Sequence, residues 1–242
     1  MRTTGTAPPG DETSGRSVAG WSRRTTGRWL AGGMSAIDVL IRLSTIRVLP
    51  VVVIDDAAQA VPLAHALVAG GVPCAEVTLR TPAAVDAMRA MAGVPDFVVG
   101  CGTAVTADQV EASVEAGARF VVSPGFDESV ADRCRALGMP HVPGVATATE
   151  VMRARAAGFT VQKFFPAAPL GGAAAIAALA GPFPDLRFVP SGGVGLAEAA
   201  SYRLDAVHSV STSWVTPRDA IADGRFELVV DRARAFREQV VA

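Results

Sequence analysis

From Ser35 onward, short apolar runs alternate with alanine-rich stretches whose apolar positions recur at helical spacing. The first stretch, about 35–44, carries Ile37, Leu40, Ile41 and Leu43 at helical spacing and leads into an apolar strand over 47–54. A helix over 57–70 follows and stops at Gly70-Gly71, where glycine relieves the left-handed conformation common at helix ends. The unit then repeats. Strands are expected over 75–80, 97–103, 119–123, 140–146, 160–166, 187–193 and 207–213, separated by helices over 82–92, 106–116, 127–137, 148–157, 171–180 and 196–202. Two further helices are expected, one beginning near Pro217 and one over 225–240. Strands that alternate with helices run parallel, and eight such units in about 200 residues predict an α/β fold of the (β/α)8 (TIM) barrel type. A doubly wound open sheet is the alternative, but it usually has fewer strands, and no Gly-x-Gly-x-x-Gly follows the first strand here. The barrel places chemistry at the C-terminal ends of the strands.

Composition narrows the class. The chain has 242 residues, is half hydrophobic and has a net charge of -1, so it can bury one core and has no excess charge to attract nucleic acid or a membrane surface. No run reaches the roughly 18 apolar residues that a membrane span needs. Residues 1–33 have no hydrophobic periodicity and are rich in Gly, Ser, Thr, Pro and Arg. They are expected to be a disordered tail, or the product of a start site placed too early, ahead of a barrel domain over 34–242. Arg23-Arg24 lacks the apolar run of an export signal. Cys74, Cys101 and Cys134 are odd in number and far apart, which argues against a disulfide framework or a zinc site and for a reducing cytoplasm.

Lys163 is the only lysine among the 22 basic residues, in a chain that otherwise uses arginine. It sits in the apolar run Thr160-Val161-Gln162-Lys163-Phe164-Phe165-Pro166, where an unpaired charge is costly. A desolvated lysine, unlike an arginine, can shed its proton and attack a carbonyl to form a Schiff base. Glu76 is the only acidic residue within any predicted strand, and two-residue alternation puts Glu76, Thr78 and Arg80 on one face. The bland reading is a buried Glu76 to Arg80 ion pair. With Lys163 facing the same interior, the set instead suits carbon-carbon chemistry on a 2-oxo acid. Lys163 would form the iminium electron sink, Glu76 would move protons, and the Arg80 fork would match the substrate carboxylate.

Further candidates flank this set. Thr103 follows Gly100-Cys101-Gly102 and either donates to the same carboxylate or caps the next turn. Ser191-Gly192-Gly193 after strand seven, with Ser213 after strand eight, stand where barrels often bind phosphate. His65, His141 and His208 have no acidic partner close in sequence, so surface or packing roles are expected for them and no metal site; Cys101 is expected to pack.

The segments LPVVVIDD, ALVAGGVPCAEVTLRT, VGCGTAVT, SPGFDE, PGVATATE, KFFPA, AGPFP, PSGGV and SWV run from about Ile46 to the C-terminal helix. Together they resemble the family of 2-dehydro-3-deoxy-phosphogluconate (KDPG) and 4-hydroxy-2-oxoglutarate (KHG) aldolases. The resemblance implies that Lys163 is the Schiff-base lysine, Glu76 the proton-transfer residue, and Arg80 and Thr103 the binders of the pyruvyl carboxylate. It further implies that Pro124 and Phe165 line the pocket and that Gly192, Gly193 and Ser213 cradle a phosphate, with Ser191 in place of a threonine. A homotrimer that needs no cofactor is implied as well. One departure stands out: Ser211-Thr212 replace a Gly-Gly pair that commonly precedes Ser213. Their hydroxyls would either donate to the phosphate or favour a shorter, unphosphorylated 2-oxo acid.

The expected reaction is cleavage of 2-dehydro-3-deoxy-6-phosphogluconate to pyruvate and glyceraldehyde 3-phosphate. KHG, which gives pyruvate and glyoxylate, and the galactonate epimer are the alternative substrates. The competing class is a barrel that binds a phosphorylated metabolite without turning it over, a role that requires neither the amine nor Glu76.

Overall fold

Eight parallel strands follow one another around a closed circuit in the computed structural model, which describes residues 34–241. They are β1 (Val48–Val52), β2 (Cys74–Thr78), β3 (Val98–Gly102), β4 (Val121–Val122), β5 (His141–Val142 with Gly144–Val145), β6 (Val161–Phe164), β7 (Arg187–Pro190) and β8 (Val210–Thr212). The split in β5 comes from Pro143, which has no N–H to give to a ladder. The first half of β5 pairs with β4 and the second with β6, while the Pro143 carbonyl still accepts from the Lys163 amide at 2.8 Å. The circuit closes through β8 pairing with β1 and through a parallel bridge from Phe188 on β7 to Val207 ahead of β8. These findings agree with the barrel expected from the alternation of strands and helices.

The outer layer comprises α1 (Ala36–Ile46), α2 (Ala60–Ala69), α3 (Ala84–Ala92), α4 (Ala107–Glu115), α5 (Glu128–Ala136), α6 (Ala148–Ala156), α7 (Gly172–Ala180), α8 (Leu196–Ala199), α9 (Arg218–Ala222) and α10 (Phe226–Val241). Polar side chains mark where several of them begin. Ser35, Thr106 and Thr147 each form a capping box with the residue three positions on, and the Asp127 carboxylate accepts from the Val130 amide. The helix expected over 57–70 is a 3-10 turn over Ala57–Gln59 followed by α2, with Pro62 tolerated in the first turn.

The strands end earlier than the apolar runs do, and this difference shapes the site. The run expected over 75–80 ends at Thr78, where Leu79 donates to the Gly102 carbonyl and Arg80 turns back to donate to Thr78. The run over 97–103 ends at Gly102 because Thr103 takes φ 63°, and the run over 187–193 ends before Gly192 and Gly193, at φ 93° and 75°. Every candidate of the sequence reading except Glu76 and Lys163 therefore lies in a loop just past a strand. Residues 1–33, with Arg23-Arg24, and Ala242 lie outside the described residues. Among the described residues all three cysteines are free and buried, and no helix is long and apolar enough to cross a membrane.

Candidate active site

Strand register brings the two unusual side chains together. Glu76 on β2 lies beside Val51 of β1 and Gly100 of β3; Lys163 on β6 lies beside Gly144 of β5 and Val189 of β7. Both point into the interior, 0% and 5% exposed, and Lys163 Nζ donates to Glu76 Oε1 at 3.1 Å. Glu76 is the only acidic side chain in ion-pair contact with Lys163 among the described residues. An ion pair this deep adds little net stability, because desolvating both charges offsets their attraction, and buried pairs of this kind mark candidate sites of chemistry.

Neighbouring residues make room for the pair and aim it. A Cβ on Gly102 would lie 2.5 Å from Glu76 Cγ and 2.6 Å from Oε1, so the carboxylate occupies space that only glycine leaves. The same strand accepts the Phe120 ring over Gly100, where a Cβ would overlap it. Across the barrel the Phe165 ring centroid is 5.4 Å from Lys163 Nζ. That ring packs over Gly192, where a Cβ would come within 3.1 Å. The Ser211 hydroxyl lies 3.5 Å from Glu76 Oε2, the carboxylate oxygen turned away from Lys163.

The remaining candidates form a rim above this floor. Arg80, Thr103, Pro124, Phe165, Gly192, Gly193 and Ser213 all lie one to three residues past the C-terminal end of a strand. Arg80, Pro124, Gly193 and Ser213 are exposed, Thr103, Phe165 and Gly192 are half-buried, and Ser191 is buried. Arg80 lies two residues past the end of the strand that carries Glu76 and is exposed, and no Glu76 to Arg80 ion pair forms. Its guanidinium has no carboxylate partner among the described residues. The amides of Gly192 and Gly193 likewise donate to no protein acceptor among the described residues.

The hydroxyls of Ser211 and Thr212 are not available to a phosphate. Ser211 is directed at Glu76, and Thr212 donates to the Val194 carbonyl at 2.6 Å while accepting from the Trp214 amide at 3.0 Å. Their engagement was missed in the sequence. The available signal was that two neighbouring polar residues on one buried strand must face opposite ways and each find a partner.

The other titratable groups keep clear of the chemistry. Burial pushes the Cys101 thiol up to about 12, so it stays a packing residue. His65 is exposed. His141 and His208 are both depressed to about 4, chiefly by burial, with nearby arginine charge adding to the effect. His141 meets the Ser123 hydroxyl through Nε2, while its Nδ1 has no partner among the described residues.

Comparison with known proteins points the same way as the geometry. The model of the aldolase family "KDPG and KHG aldolase" matches residues 39–231. The chain is 44% identical over 195 residues to the 2-dehydro-3-deoxy-phosphogluconate aldolase of Treponema pallidum, covering 80% of this chain and 93% of that protein. It is 43% identical over 194 residues to the KHG/KDPG aldolase of Escherichia coli K12, covering 79% of this chain and 91% of the relative. Among solved structures, the KDPG aldolase of Legionella pneumophila, with pyruvate captured as a covalent carbinolamine intermediate, superposes with a TM-score of 0.76 at 37% identity. That match covers 80% of this chain and 97% of the other.

Proposed function

This chain belongs to the KDPG and KHG aldolase family, and from that premise we infer that it is a class I aldolase, a carbon-carbon lyase. It cleaves 2-dehydro-3-deoxy-6-phosphogluconate to pyruvate and glyceraldehyde 3-phosphate. The observation that carries the reading is the buried pair of Lys163 and Glu76 at 3.1 Å, a nucleophile with its proton carrier within hydrogen-bond reach.

The geometry supports the following sequence. Glu76 Oε1 takes a proton from Lys163, and the freed amine attacks the C2 ketone. The carbinolamine receives a proton from Glu76 and loses water to give the iminium. Glu76, again a carboxylate, accepts the proton of the C4 hydroxyl as the C3–C4 bond breaks. That electron pair moves into the iminium to form the enamine, and the aldehyde departs. The enamine is then protonated at C3, and water releases pyruvate from Lys163. With no other acidic side chain in contact with Lys163 among the described residues, one carboxylate is proposed for every proton transfer.

The free fork of Arg80 and the hydroxyl of Thr103 are proposed to hold the pyruvyl carboxylate, with Pro124 and Phe165 as walls. The unoccupied amides of Gly192 and Gly193, beside Ser191 and with the exposed Ser213, are proposed to take the phosphate. No step of this scheme requires a cofactor. KHG is proposed as a second substrate, because the E. coli relative's name includes both activities. The family resemblance supports a homotrimer, and the three reduced cysteines support a cytoplasmic location. The catalytic unit is proposed to be the domain over 34–242.

Turnover of the two epimeric phospho-sugar acids and of KHG, followed by pyruvate release, tests the assignment. Turnover is expected to be highest on the gluconate isomer and lost in Lys163→Ala. A protein that bound these acids and released no pyruvate would be a metabolite-binding barrel instead.

A further inference from the structure

We propose that Ser211 is a positioning residue for the proton-transfer step, holding Glu76 through the carboxylate oxygen that does not face Lys163. The proposal rests on the reading of Glu76 as the proton carrier. Ser211 sits on β8 beside Leu49, and Glu76 sits on β2 beside Val51, so the two strands flank β1 and their inward side chains meet in front of it. Both residues are 0% exposed. A buried hydroxyl needs an acceptor, and Glu76 Oε2, at 3.5 Å, is the acceptor of the Ser211 hydroxyl among the described residues.

The carboxylate therefore has two different oxygens. Oε1 faces the amine at 3.1 Å and is the one placed to exchange protons with the reacting atoms. Oε2 has the longer contact, 3.5 Å from the Ser211 hydroxyl, a group that remains unchanged through the reaction. Gly102 leaves the carboxylate its space on a third side, where a Cβ would lie 2.6 Å from Oε1, and the two donors set which oxygen faces which strand. Without Ser211 the carboxylate keeps only its bond from Lys163, and a carboxylate misplaced by a fraction of an ångström loses proton-transfer rate without loss of substrate binding.

Exchange of the pyruvate methyl protons in D2O, followed by NMR, isolates this step. Pyruvate condenses with Lys163, loses a methyl proton to Glu76 to give the enamine, regains a deuteron and is hydrolysed. In Ser211→Ala the exchange rate is expected to fall about 5- to 20-fold, while the fraction of Lys163 trapped by borohydride at saturating pyruvate stays unchanged. Ser211→Thr, which keeps the hydroxyl, is expected to recover most of the rate, and Ser211→Cys, a weak donor of similar size, to fall between them. The proposal is overturned if Ser211→Ala exchanges at the wild-type rate, if trapping falls along with exchange, or if the threonine variant is as slow as the alanine one. Glu76→Gln is run alongside to separate the two claims. Wild-type exchange in that variant would remove the reading of Glu76 itself, whereas slow exchange there with normal exchange in Ser211→Ala would remove only the role of Ser211.

Discussion

Gly102 and Glu76 occupy one volume between them: the carboxylate of Glu76 lies where a side chain at Gly102 would begin, 2.5 Å from Cγ and 2.6 Å from Oε1. A methyl group there displaces the Glu76 carboxylate from Lys163, although the backbone at Gly102 itself is ordinary strand. Gly102→Ala is expected to lower kcat about 10- to 100-fold, since small misplacements of catalytic groups cost that much, with the protein still folded. Steady-state kinetics with a thermal melt check it; unchanged kcat would show that the carboxylate has slack.

Gly100, two residues earlier, is a contrasting control. A Cβ there overlaps the ring of Phe120, a core residue whose atoms are its three nearest neighbours. Gly100→Ala is expected to lose about 1–3 kcal/mol of stability, the usual cost of overpacking a core. Urea unfolding measures that loss, and kcat per folded molecule should change little.

Thr212 ties the end of β8 to the loop of Gly192 and Gly193 through Val194 and also receives the Trp214 amide. Thr212→Val keeps the shape and removes both bonds, leaving buried polar groups unpaired at a cost of about 1–3 kcal/mol. The loosened loop is expected to raise KM several-fold for the phosphorylated substrate and leave KM for KHG unchanged. An equal rise for both substrates would place the effect elsewhere in the pocket.

How much of this could be read from the chain differs by residue. Lys163 and Glu76 were visible because each is the single exception to a compositional rule, and two-residue alternation directs both inward. The barrel followed from repetition alone. Arg80 was misplaced because an apolar run does not show where the backbone turns; that depends on the hydrogen bond from Leu79 to Gly102 of the neighbouring strand. The Ser211 to Glu76 contact was invisible for a related reason. It joins two strands separated by a third, and only the register of all three sets the distance. The positive φ of Thr103 has no marker in a residue of that type.

The two buried histidines make a prediction about pH. His141 and His208 are held near 4 in the folded barrel, chiefly by burial, whereas an unfolded histidine titrates near 6.5. Between those values the unfolded chain binds more protons than the native one, so stability is fully present above about 6.5 and is lost as pH falls toward about 4. Urea unfolding at several pH values should show this decline. In His141→Gln the decline should be shallower than in the wild type, and parallel curves would show that His141 does not contribute.

The proposed cleavage depends most on the amine of Lys163 reacting with substrate. Incubation with pyruvate and borohydride followed by peptide mass spectrometry is expected to find one reduced pyruvyl adduct per chain, on the peptide containing Lys163, and none in Lys163→Arg. An unmodified chain, or an adduct that persists in Lys163→Arg, would contradict the mechanism.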